Sequence, residues 1–342
     1  MFEEREVIGS GNSGFGFLEI SPGRFAVGTG GFRAAPEAPS GDGAFYVNDF
    51  ELSDEYPWKV PEQFDVVDER DLFVHERGPE VKWEALGRGA FEAVFREIKA
   101  EIVDGGIRKT VPVITERGRV ETGDPREWMG RLAASRAPLI RYGYLEEDAG
   151  ILGATPEELF ALRGEELRTM ALAGTAAAGE REEFEKDAKE IEEHELVAQH
   201  IIQHVADLGV VTREARESMD VGAMVHFLTR IDVRLARPRK IGALIQRLHP
   251  TPALGAFPRT MESLRKLQQY RDRMDAPAGF GAPFGVSHEG GFRAVVSIRN
   301  VSWRGKDVYL PSGCGVIEES GLESEWRELA LKRESVKRLL SL

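Results

Sequence analysis

The sequence predicts an α+β fold, and three observations carry that prediction. Before Trp83 the chain is rich in glycine, proline and aromatic residues, with short apolar runs such as Ala44-Phe45-Tyr46-Val47 that read as strands and turns. After Trp83 amphipathic helical periodicity sets in. Helices and hairpin-like strands then mix without the strict alternation that a parallel sheet requires.

In chain order, residues 84–102 read as an amphipathic helix, stopped by the turn signal Asp104-Gly105-Gly106. A strand Lys109-Thr110-Val111-Pro112-Val113-Ile114 follows, with short strands at 139–144, 151–152, 159–162 and 169–172. Residues 180–208 read as one long helix, 239–247 as a short one and 259–270 as a polar, charged one. Strands at 292–300 and 308–310 and a final helix at 323–340 complete the pattern. No repeat, low-complexity run or linker divides the chain. Residues 1–342 are therefore expected to form one domain, with 1–85 a strand-rich segment of the same fold.

The composition bounds the partners. Lys and Arg total 45 against 58 Asp and Glu, a net charge of −13, which argues against nucleic acid and against an anionic membrane surface. Hydrophobic residues make up 42% of the chain, yet no stretch approaches the roughly 18 apolar residues of a membrane span. Cys314 is the one cysteine, which excludes a disulfide framework and a multi-cysteine zinc site. The first residues are acidic where a signal peptide needs a basic region, so a reduced, cytoplasmic protein is expected.

Several local patterns invite a chemical reading. Gly9-Ser10-Gly11-Asn12-Ser13-Gly14 fits G-x-G-x-x-G literally, but the apolar run Phe15-Gly16-Phe17-Leu18-Glu19-Ile20 after it reads as a strand, which favours a hairpin loop over a nucleotide site. His200 and His204 have the i, i+4 spacing of zinc ligands, though ordinary helix histidines explain it more simply. Cys314, between Gly313 and Gly315, reads as a small residue in a tight site rather than a nucleophile. The long helix says more. At about 100° per residue, Glu190 falls within about 60° of Val197, Ile201, Val205 and Leu208, and Glu193 flanks the same stripe. A core-facing carboxylate needs an ion pair or a metal, and both remain open. The last helix repeats the arrangement, with Glu325 and Lys332 at the edge of its Trp326, Leu329, Val336, Leu340 arc and Glu328 further out. An i, i+4 pair explains Glu328 and Lys332, but not two helices that each carry two such carboxylates. Four hard oxygen donors suit Mg²⁺ better than zinc.

An ordered set of motifs extends the reading. Gly153-Ala154-Thr155-Pro156-Glu157-Glu158-Leu159-Phe160 precedes Ala171-Leu172-Ala173-Gly174-Thr175 and Lys189-Glu190-Ile191-Glu192-Glu193-His194. Leu248-His249-Pro250-Thr251-Pro252-Ala253-Leu254-Gly255 and Ser297-Ile298-Arg299 follow, then Ser312-Gly313-Cys314-Gly315-Val316-Ile317 and Glu325-Trp326-Arg327-Glu328 with Lys332. Over residues 90–340 this set resembles the chorismate-binding enzymes, which include isochorismate, salicylate, anthranilate and aminodeoxychorismate synthases. The segment at 248–255 is most like the isochorismate synthase version. Ala173 stands where aminodeoxychorismate synthases tend to place a nucleophilic lysine, so neither ammonia chemistry nor a glutaminase subunit is expected. The chain departs from the family pattern at Ile114, where an arginine is common, and at Pro311, where an aromatic or basic residue is.

The resemblance implies a large sandwich of mainly antiparallel sheets flanked by helices, with 86–342 as the chorismate-binding core. It implies Lys109 as the general base that activates water and Glu157 as the general acid at the departing C4 hydroxyl. Glu193 and Glu328 match Mg²⁺ ligands, with Glu190 and Glu325 as their partners in the metal shell. Arg299, Lys332 and the backbone near Gly313 and Gly315 match binders of the substrate carboxylates. Leu172, His249 and Ala253 match positions that shape the ring site and the path of the water, and Ala173, Gly174 and Thr175 count among the substrate-binding residues. A lysine base requires burial and nearby positive charge, and a glutamic acid donor requires a raised pKa. The implied activity is reversible conversion of chorismate to isochorismate by a monomer or weak dimer, for menaquinone or for siderophore and salicylate biosynthesis. Salicylate synthesis by pyruvate elimination, an anthranilate synthase component and a non-catalytic chorismate-binding module are the alternatives.

Overall fold

Gly14 opens the first strand of a computed structural model that describes residues 14–39, 41, 43–72, 78–135 and 138–342. Most of the glycine run at 9–14 and the acidic N-terminal residues lie outside that set; the run Phe15 to Ile20 is a strand, as expected. The first half of the chain comprises β1 (Gly14–Ser21), β2 (Arg24–Ala35), β3 (Ala44–Val47), β4 (Trp58–Asp68), the single turn α1 (Glu69–Leu72), β5 (Glu80–Trp83), α2 (Gly89–Val103), β6 (Val113–Thr122), β7 (Ile140–Glu146), β8 (Ala149–Thr155), β9 (Glu158–Arg163) and β10 (Glu166–Ala177). The second comprises α3 (Arg181–Phe184), α4 (Ala188–Val205), β11 (Gly209–Arg213), β12 (Glu217–Val221), β13 (Met224–Leu235), α5 (Ile241–Leu248), α6 (Met261–Arg273), β14 (Pro283–His288), β15 (Gly291–Val296), β16 (Asn300–Arg304), β17 (Asp307–Gly313) and α7 (Leu322–Leu340).

The strands form two antiparallel runs. One goes β4–β2–β1–β7–β8–β16–β17–β6–β5. The other goes β3–β14–β15–β9–β10–β13, with β11 and β12 both on the far edge of β13. They join where β3 meets β4. Leu18, Phe45, Tyr142, Phe284 and Val295, drawn from both runs, pack together. Helix α4 lays Val197, Ile201 and Val205 on the second run with Leu244 and Leu248 of α5. Val336 and Leu340 of α7 pack on the first run with Trp128. Helix α2 buries Phe91, Val94, Phe95, Ile98 and Ile102, a 3–4 residue spacing, against Tyr270 of α6 and Leu329 of α7. The antiparallel sheets and flanking helices are the α+β architecture the sequence predicts.

Three local expectations are corrected. The helix predicted over 180–208 is broken, because Asp187 takes extended geometry and caps α4 through a 3.1 Å hydrogen bond from Glu190 N to Oδ1. Lys109 does not open a strand: β6 begins at Val113, and Lys109 and Thr110 sit in isolated bridges to Phe257 and Val316. The strand predicted over 292–300 is two, since residues 297–299 carry the chain from β15 in one run to β16 in the other. The hairpin strands β11, β12 and β13 and the strand β14 were not predicted.

Candidate active site

The chain passes from one run of strands to the other at Pro156-Glu157, between β8 and β9, and again at Ser297-Ile298-Arg299. The two crossings lie side by side, since Val296 N donates to Glu157 O at 3.0 Å and Ala154 N donates to Arg299 O at 3.2 Å. Arg299 adopts φ 54°, left-handed backbone that a non-glycine residue takes at some cost. Topology thus delivers a carboxylic acid and a guanidinium to one place, although they are 142 residues apart in sequence (299 − 157).

Between these crossings, β10, β17, α4 and α7 lies a pocket that opens to solvent. Of the predicted residues, Glu157, Leu172, Ala173, Gly174, Thr175, Glu193, Ala253, Arg299, Gly313, Gly315, Glu328 and Lys332 line it. Gly174 is the extra residue of a β-bulge: Ala173 faces Phe227 and Thr175 faces His226 across β13, with φ 77° between them. The bulge turns Thr175 N onto Glu190 Oε2 at 2.7 Å.

Lys109 stands directly behind the lining, fully buried, with Nζ donating to Glu193 Oε1 at 2.8 Å. The expected burial is there, but its nearest charged partner is a carboxylate rather than a cation. A Cβ on Gly315 would lie 2.2 Å from Glu193 Oε1 and 2.8 Å from Lys109 Cε, so glycine is what lets the chain close over this pair. Glu157 is buried, and desolvation raises its pKa to about 7 against the opposing influence of Thr251, Lys109 and Lys332. Thr251 Oγ1 donates to Glu157 Oε1 at 3.3 Å.

The four helix carboxylates face three ammonium groups. Lys189 bridges Glu190 at 2.8 Å and Glu325 at 3.1 Å, Lys109 holds Glu193, and Lys332 pairs with Glu328. Burial and then the neighbouring Glu193 raise Glu190 to about 7; burial and then Glu328 raise Glu325 to about 7. Burial pushes Glu193 up as well, but Lys109 and Lys189 together hold it below the usual range. Glu325 Oε2 is buried with no hydrogen-bond partner. Four clustered carboxylates, two of them raised by burial and by neighbouring carboxylates, and an orphaned carboxylate oxygen fit a hard divalent cation. Among the described residues, no three His, Cys, Asp or Glu side chains are gathered tightly enough to hold a metal ion without rearrangement.

The remaining predicted residues do other things. His249 does not line the pocket; its Nε2 meets Phe50 O at 2.7 Å, and its ring packs edge-on against Phe50, which anchors the turn that carries Thr251 and Ala253. His200 and His204 stack at 3.9 Å, and no third ligand among the described residues makes them a metal site. Cys314 is buried, and desolvation, then Glu325 and Glu328, keep its thiol protonated. Lys332 Nζ donates to Gly313 O at 2.9 Å as well as to Glu328. Sequence reasoning missed His226, Thr251, Lys189 and Ser335. The aromatic and β-branched run Val225-His226-Phe227-Leu228-Thr229 was the available sign of a strand that could carry His226 inward.

A buried carboxylic acid and a buried guanidinium, with the half-buried Lys332 beside them, line a pocket between two antiparallel runs and define a site for a small anionic molecule. The family model for chorismate-binding enzymes matches residues 68–341, and the chain belongs to that family. It is 30% identical over 268 residues to the salicylate biosynthesis isochorismate synthase of Pseudomonas aeruginosa, covering 75% of this chain and 56% of that protein. Its fold matches DhbC from Bacillus anthracis, a candidate 2,3-dihydroxybenzoate-specific isochorismate synthase, at 20% identity and a TM-score of 0.81 over 98% of each chain. It also matches the menaquinone-specific isochorismate synthase MenF from Escherichia coli at 18% identity and a TM-score of 0.77, over 99% of this chain and 91% of that one. The chain spans about half the length of the curated relatives it matches, 56% and 41% of the first two. Among the described residues, no helix is long and apolar enough to cross a membrane.

Proposed function

We propose that this chain is a Mg²⁺-dependent isochorismate synthase. The observation that carries the reading is the buried carboxyl of Glu157 in the pocket, where desolvation raises its pKa to about 7, with Lys109 directly behind the same wall. Moving a hydroxyl from C4 to C2 needs one group to take a proton from water and another to give one to the departing hydroxide. Glu157 supplies the donor, held by Thr251 and desolvated by its position between the strand runs. Lys109, packed against Gly315 at the pocket wall, would be the acceptor in its neutral form, after giving up the proton that its ammonium here donates to Glu193. The new C2–O bond takes its oxygen from water; the C4–O bond breaks and that oxygen leaves as water with the proton from Glu157. Arg299 and Lys332 meet the carboxylates of the dianion. Glu190, Glu193, Glu325 and Glu328 would hold Mg²⁺, which neutralises a substrate carboxylate and orients the ring. The product would serve menaquinone or siderophore and salicylate biosynthesis, in a protein that needs no glutaminase subunit.

The test is chromatography of products from purified protein, chorismate and Mg²⁺, with and without chelator, together with a pyruvate assay. Isochorismate that disappears on chelation supports the reading. Pyruvate without added lyase would make the chain a salicylate synthase, and no product in any fraction would sink both.

A further inference from the structure

Arg299 brings to the pocket wall a positive charge with no counter-ion in contact. Its side chain is buried, and among the described residues no carboxylate pairs with it directly, although Glu328 lies near enough to favour its charged form. Burial lowers its pKa to about 10, which leaves it charged at neutral pH. Its contacts are neutral: Nη1 donates to Ser335 Oγ at 3.0 Å, and Nη2 reaches His226 Nε2 at 3.2 Å and Met224 Sδ at 3.5 Å. The other ring nitrogen of His226, Nδ1, lies 3.0 Å from Gly174 O and 3.1 Å from Thr175 Oγ1.

These distances fix the state of the imidazole. A guanidinium only donates, so Nε2 must offer its lone pair and the proton must sit on Nδ1, where the Gly174 carbonyl accepts it. Burial, then Arg299 and Lys332, push the pKa of His226 down to about 3, in agreement with a neutral ring. The bulge at Gly174 is what makes that carbonyl available opposite His226. On the far side, Ser335 is fixed in turn by its own donation to Lys332 O at 2.8 Å, one helical turn away on α7.

We propose that His226 and Ser335 are positioning residues that grip Arg299 from two sides, so that its remaining N–H groups meet a carboxylate of the substrate in one orientation. The grip itself stands on geometry; its consequence for chorismate rests on the function proposed above.

Two His226 variants separate the roles of the ring nitrogens. The amide of His226→Asn reaches only the place of Nδ1, whereas the carbonyl oxygen of His226→Gln reaches that of Nε2. Loss of a hydrogen bond to a charged group predicts that H226N raises KM and Kd for chorismate roughly 10- to 100-fold with a smaller change in kcat. H226Q restores most of the affinity, and Ser335→Ala shifts KM in the same direction. Melting temperatures followed alongside separate this split from loss of structure. A wild-type KM in H226N, or H226Q as impaired as H226N, overturns the proposal. If the His226 variants do not fold, an unchanged Kd in S335A overturns it. Selective ¹⁵N-histidine NMR reads the grip without any substrate. Nδ1 protonated and Nε2 unprotonated is expected, and the opposite tautomer refutes the proposal even if the protein does not act on chorismate.

Discussion

Replacing Glu157 with glutamine should destroy activity and stabilise the protein, and both effects follow from one property of the site. Burial raises the folded-state pKa of Glu157 from 4.5 to about 7. Below pH 4.5 the carboxyl is protonated in both folded and unfolded chains and contributes nothing to pH dependence. Between those values the folded state binds the proton more tightly, so stability falls as pH rises, and above about 7 the loss is constant. Going from 4.5 to about 7, at about 1.4 kcal/mol for each tenfold change in proton affinity, makes the full effect about 3 kcal/mol. Glutamine keeps the shape and cannot ionise, so Glu157→Gln should be more stable than wild type by an amount that grows from near zero at pH 4.5 to about 3 kcal/mol at pH 8. At about 2.1 cal/mol/K per residue for a chain of 342 residues, that is a rise of about 4 °C in Tm. Turnover should fall by roughly 10²- to 10⁴-fold, because glutamine has no proton to give. The assays are thermal melts of both proteins at pH 4.5, 6 and 8, and product chromatography. A Tm difference that does not change with pH refutes the raised pKa, and retained turnover refutes the acid.

Further outcomes are expected from the same geometry. In the wild type, kcat should decline as pH rises through about 7, where Glu157 loses its proton, and Thr251→Val should move that decline to higher pH by removing a hydrogen bond that favours the ionised form. Lys109→Ala should bind chorismate, measured by calorimetry, while losing turnover; it should also melt earlier, since an unpartnered buried Glu193 costs about 3–5 kcal/mol. Gly315→Ala places a methyl within 2.2 Å of Glu193 Oε1 and should cut kcat at least as severely as a displaced base would, roughly 100-fold. Mg²⁺ at about 100 times its Kd should stabilise the protein by about 2.7 kcal/mol, and Glu325→Gln should abolish that gain in a thermal-shift assay without chorismate.

Much of this site is legible in the order of the residues. Helical periodicity alone puts Glu190 on the apolar stripe of its helix and Glu193 beside it, and both are buried there. The break at Asp187 is not legible, because periodicity runs straight through a cap whose geometry is set by one side chain. Ordered motifs supply the residues around the pocket, including Glu157, Arg299 and the glycines of β17 and its extension. They do not supply His226, which lies in a hairpin whose alternation is blurred by two buried faces. Nor do they indicate that His249 faces Phe50, a residue 199 positions earlier.

The sequence by itself determined what depends on neighbours in the chain: the α+β class, the amphipathic faces, the acid surplus and the family motifs. Tertiary structure decided what depends on residues far apart in the chain. It alone brought the two crossings together, put Lys109 against Glu193, desolvated Glu157 and left Arg299 held by neutral groups. The physical reason is that a pKa and a counter-ion are set by what surrounds a group in space, and in antiparallel sheets with long connections those surroundings come from strands far apart in sequence.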